Sequence, residues 1–104
     1  MRAERQAREI EEAVRGSRSA LAERLSALDA ASVAVGQAEE NLRIRQQQFT
    51  AGRATSEDVL DAESLLAGER SVRATALYEA LTRRAELQQL VGEPLDALAA
   101  GGEP

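Results

Sequence analysis

Acid–base chemistry in this 104-residue chain would have to rest on carboxylates, of which there are 18, because the chain has no His and no Cys. Without them there is no imidazole base, no thiolate nucleophile and no zinc site with the usual soft ligands. A catalytic carboxylate normally sits in a concave pocket that shifts its pKa. A chain with no Trp and only two aromatic residues, Phe49 and Tyr78, is poorly equipped to build one. Neither catalysis nor a cofactor or metal is expected. Nucleic acid is an equally poor partner, since the net charge is −5 and phosphate binding needs a basic face. The positive charges are interleaved with acids at Glu4–Arg8, Glu11–Arg15, Glu39–Arg43, Glu69–Arg73 and Glu79–Arg83. Each pair has Glu four residues ahead of Arg, the orientation that suits one solvated helix face.

No apolar run approaches the ~20 residues needed to span a bilayer. The start, MRAERQAREIEEA, is charged and lacks the apolar stretch of a signal peptide. The absence of Cys is compatible with an oxidising compartment without disulfides, but does not require one. If the chain works outside the cytoplasm, it is a mature product, a fragment or an expressed segment of something longer.

The elements that must position the charged residues are helices. From Ala3 to Thr50 there is no Pro, and the strong helix formers Ala, Glu, Arg, Gln and Leu dominate. Apolar residues recur every seven positions at Ala7, Val14, Leu21, Leu28, Val35, Leu42 and Phe49. A straight α-helix drifts by ~20° per heptad, so so long a stripe predicts left-handed supercoiling on a partner. Three residues after the first six of these lie Ile10, Ser17, Arg24, Ala31, Ala38 and Arg45. These are mostly small or polar, and together with Gly36 they allow a neighbouring helix to approach closely.

The series stops at FTAGRATSED. Gly52 can take the left-handed conformation that closes a helix. Thr55 suits the N-cap of a new helix, and Asp58 three residues later completes a capping-box pattern. Glu57 and Asp58 also place negative charge at the positive end of the new dipole. A stop and a start this close predict an αα-hairpin. Its helices are expected over about 3–51 and 56–91, with a turn at 52–55. Gly92 and Pro94 are expected to end the second helix, leaving 93–104 as a flexible tail.

Folding about the turn pairs residues whose numbers sum to about 107 or 108. Phe49 then meets Val59, Leu42 meets Leu65, Val35 meets Val72, and Leu21 meets Leu87. The first helix is longer, roughly 73 Å against 54 Å at 1.5 Å per residue, so its first dozen residues should overhang. The apolar residues of the second helix spread over more than half its circumference. One seam leaves Leu60, Leu66, Leu77 and Leu81 only partly covered, and a helix apolar on several faces usually has several neighbours. The predicted fold is therefore all-α, a long antiparallel two-helix hairpin that acts as a stave of a larger assembly.

AEENL at 38–42, F-x-x-G at 49–52, TSEDVLDA at 55–62, LY at 77–78 and L-x-x-L-V-G at 87–92 together carry a resemblance. Across residues 31–92 the chain resembles the TolC-type outer-membrane factors of Gram-negative efflux and type I secretion systems. The compound G-x-x-T-x-x-DVLDA at a hairpin turn is the specific part; alanine-rich helical text alone fits any coiled coil. The resemblance implies a stave of a trimeric periplasmic α-barrel beneath an outer-membrane β-barrel, in a homotrimer. It also implies a periplasmic adaptor (membrane fusion) protein at the tip, with an inner-membrane pump engaged indirectly. By position, Ala51, Gly52, Arg53 and Thr55 form the adaptor-docking tip, and Phe49, Asp58 and Asp61 line the channel entrance. Phe49 matches an aromatic position that in some members carries a hydroxyl, and Ala54 one that can be basic. An aperture lock made of those two groups is not supplied here; Arg53 is the substitute to consider.

Simpler roles stand beside these. Gly52 is a C-cap in any hairpin, Asp58 a capping carboxylate, and Phe49 and Tyr78 packing residues. Asp61 has least local excuse. The chain lacks the alternating, aromatic-girdled strands of a membrane β-barrel, so it can supply only part of a channel. A periplasmic adaptor hairpin and a generic coiled-coil module are the other readings, the former disfavoured by DVLDA after the turn.

Overall fold

A computed structural model describes the backbone of residues 2–101 and the side chains of residues 2–91. It is an antiparallel pair of helices, α1 over Arg2–Thr50 and α2 over Ser56–Gly101, joined by one turn. The predicted hairpin is thus observed, its turn where the Gly52–Thr55 text places it. α2 runs to Gly101 rather than ending near Val91, so the expected tail is helical as far as it is described. The strong formers of LDALAA, beyond Pro94, favour that continuation. Residues 102–104 of the expected tail lie outside the described residues.

The molecule is a rod, 75 × 37 × 13 Å, with a radius of gyration of 22.2 Å where a globular chain of this length has about 13 Å. Its accessible surface is 8012 Å², against about 5,700 Å² for a compact monomer of 11.2 kDa.

The core is a single seam of small residues. Among the described residues the buried apolar side chains are Ala31, Val35 and Ala38 from α1, and Ala62, Leu66, Ala76 and Ala80 from α2. Val35, Ala38 and Leu66 form its centre, with Leu42 packed against them. On α1 the seam uses the heptad series together with the small residues three places later, as expected. On α2 the expected partners are corrected. Leu65 is 49% and Val72 57% exposed, and Leu66 takes the place beside Leu42 and Val35. A close seam favours small side chains, and α2 supplies them on the face of Leu66 at Ala62, Ala76 and Ala80. Val59 and Leu87 are half-buried, as a seam position requires. Phe49, expected to close the stripe on Val59, is 49% exposed. Tyr78, expected to pack with its hydroxyl reaching solvent, is 71% exposed as a whole.

The register also tightens away from the turn. Arg24 bonds Glu79 across the seam at 2.9 Å, about one helical turn nearer the tip than an unchanging register would place its partner. Leu90 shares a groove with Gln6, Glu9, Ile10 and Ala13, so the start of α1 has α2 beside it and does not overhang. No described residue before Val14 is even half-buried, however. The expected Glu–Arg pairs at spacing four are replaced. Arg43 bonds Glu40, holding that carboxyl below its usual range, and Arg83 bonds Glu86 at 3.1 Å, both at spacing three. Glu79 turns to Arg24 instead of Arg83. The two pairs within single helices are exposed and contribute little to stability.

Candidate functional site

The residues singled out in the sequence gather at the hairpin tip, where two backbone devices meet within a few residues. α1 ends on Gly52, whose φ of 75° is the left-handed value that glycine adopts without a Cβ penalty. Its N–H donates to Phe49 O at 3.0 Å, and the Arg53 N–H reaches back to Gln48 O at 2.7 Å. This is a Schellman closure, which satisfies carbonyls that the helix end would leave open. Thr50 Oγ1 also donates back to Gln46 O, one turn earlier, at 3.0 Å.

α2 opens on a reciprocal pair. The Thr55 N–H donates to Asp58 Oδ2 at 2.8 Å, and the Asp58 N–H donates to Thr55 Oγ1 at 3.1 Å. The Asp58 carboxyl is held below the usual aspartate value, first by the Thr55 N–H, then by the Thr55 side chain, with a smaller contribution from Arg45 across the turn. Arg45 is a tip residue that the pattern did not single out. Its heptad place read as a poor core position, and only the folded turn brings its charge toward Asp58. Its guanidinium also donates to Gln48 Oε1 at 3.1 Å.

Ala51, Gly52, Arg53 and Thr55, the expected docking tip, are all exposed, while Ala54 is half-buried between them. Of the expected entrance residues, Asp58 belongs to the cap and Phe49 stands half out of the seam on α1. Asp61 is exposed one turn further along α2 and takes no part in the cap network. The structure therefore joins Gly52, Thr55 and Asp58 at the turn, with Arg45 adding only charge nearby, and leaves the side chains of Phe49, Arg53 and Asp61 exposed around them. The tip thus leaves an aromatic ring, a guanidinium and a carboxylate exposed.

Among the described residues no cluster of three or more His, Asp or Glu side chains is placed to hold a metal. None of their helices is long and apolar enough to cross a membrane. Compared with protein-family models, with characterised proteins and with solved structures, the chain finds no match.

Proposed function

We propose that this hairpin is the periplasmic stave of a TolC-like outer-membrane efflux or secretion channel, docking an adaptor at its tip and lining the channel entrance. The observation that carries this reading is the unsatisfied apolar surface of α2. Leu65 and Val72 stand 49% and 57% exposed on one flank, and Leu77 and Leu81 each 46% exposed on the other. A helix covered by α1 on one side and apolar on both flanks suits a wall in which it has further neighbours. The tip adds support: the DVLDA text lies directly on the cap, with Arg53 and Asp61 outside it and free to act.

In the assembled homotrimer, three Asp61 carboxylates close together would favour cations at a constriction whose walls focus their field. Asp61→Asn in the full channel should weaken cation selectivity and block by multivalent cations while leaving folding intact. Arg53→Glu should weaken adaptor binding and export without altering the conductance of the isolated channel. Unchanged selectivity in the first and unchanged export in the second would reduce the tip to a turn.

A further inference from the structure

The face of α2 turned away from α1 is uncharged over a length where a lone hairpin should carry its charges. Counting from Leu60 in alternating steps of four and three, eight successive positions reach Ala85, and none is charged in a chain that is 30% charged. All eight are exposed, Leu60 at 60%, Tyr78 at 71% and Leu81 at 46%. Steps of four and three are the spacing of a coiled-coil seam, so α2 carries a second seam opposite the one it gives to α1.

The order of residue sizes along it selects its partner. Laid against itself in the opposite direction about an axis between Val72 and Arg73, the stripe sets Leu60 on Ala85, Ser64 on Leu81, Ala67 on Tyr78 and Ser71 on Ala74. Each large side chain meets a small one, and only small ones meet at the axis. Laid parallel, Tyr78 would meet Tyr78 and Leu81 would meet Leu81, with gaps at the alanines and serines between them. The edges agree, because the antiparallel pairing brings Glu63 beside Arg84 twice, once on each side of the axis. The parallel one sets Glu63 near Gly68 and Arg84 near Gln89. We infer that α2 of one chain pairs antiparallel, about a twofold axis, with α2 of a second copy to form a four-helix assembly. An isologous contact of this kind requires the self-complementarity that the stripe has. The chain exposes roughly 2,300 Å² more than a compact monomer would, whereas a standard interface removes only about 800 Å² per partner.

The inference is independent of the channel reading, since a threefold barrel contains no twofold axis along α2. It describes the chain when its hairpin is not enclosed in such a wall. Sedimentation equilibrium of the full chain should give twice the 11.2 kDa monomer mass. With no native Cys, single substitutions report the direction of pairing. Mixing Leu60→Cys with Ala85→Cys under oxidation should give the mixed disulfide in preference to either homodisulfide. Ala67→Glu, at an exposed position of the stripe, should weaken dimerisation at least tenfold with helicity retained. Glu63→Arg should weaken it less, and adding Arg84→Glu should restore it. A monomer at all concentrations, or homodisulfides alone, would overturn the inference. A trimer would also overturn it while favouring the channel reading.

Discussion

At the scale of single residues the tip is held by backbone geometry, which makes its contributions separable. A Cβ added at Gly52 would meet no atom within 4 Å, so Gly52→Ala tests only the left-handed conformation. It should cost about 1–2 kcal/mol, read as a lowered urea midpoint with unchanged slope. Gly52→Asn should recover part of that loss, because Asn tolerates the conformation. Thr55→Ala should cost about 1 kcal/mol by opening the N-cap. Asp58 adds a pH dependence of definite sign. Its carboxyl titrates below the usual value in the folded chain, so its stabilisation is present above the ordinary aspartate pKa and is lost as pH falls through the folded value. The stability difference between the native chain and Asp58→Asn should be greatest near neutrality and shrink on acidification. A difference independent of pH would show that the reciprocal bonds do not depend on the charge.

At the scale of the element, the seam explains what the sequence disclosed and what it withheld. The cap residues were legible because each follows a local rule. Glycine closes a helix, and Thr with an acid three residues later opens one. The α1 stripe was legible because seven residues keep one spacing. The α2 partners were not, since Leu65 and Leu66 are adjacent and identical, and periodicity alone cannot say which faces α1. Alanine decided it, because Ala62, Ala76 and Ala80 lie in line with Leu66 and not with Leu65. Alanine weighs little in a hydrophobic pattern, yet in a close seam it is the residue that fits. Phe49 was legible as the last member of the stripe, though as a packed residue; Arg53 and Asp61 came only from the resemblance, since no local rule requires them where they are. The seam also contains one mismatch. Ser17 Oγ is buried without a hydrogen-bond partner. Ser17→Ala removes that unsatisfied oxygen and improves helix propensity, so it should stabilise the hairpin by about 1 kcal/mol. A calorimetric rise of several degrees is expected, and a fall would mean that the hydroxyl finds a partner in solution.

At the scale of the molecule, one seam of mostly alanine is a small core for so long a rod. Where an assembly covers the rest, the stability of the chain is expected to depend on that cover. The melting temperature of the isolated chain should rise with its concentration, followed by circular dichroism over a hundredfold range. A constant value would show that the single seam suffices and that the exposed leucines need no cover.

A single turn joining two antiparallel helices also sets the order in which the rod assembles. Contacts beside Gly52 close loops of a few residues, while those between Arg24 and Glu79 must close a loop many times longer. Closure entropy rises with loop length, so pairing that starts at the tip and advances toward the far end meets the smallest barrier at each step. The Gly52 closure and the Thr55–Asp58 cap then act as a clasp from which the helices zip. Opening runs the other way, from the exposed stretch before Val14, where α1 buries nothing. Amide exchange along α1 should slow progressively from that end toward Val35, giving a gradient of protection instead of one global rate. The end of the rod that meets partners in the channel reading is thus also the end where the chain first becomes a hairpin.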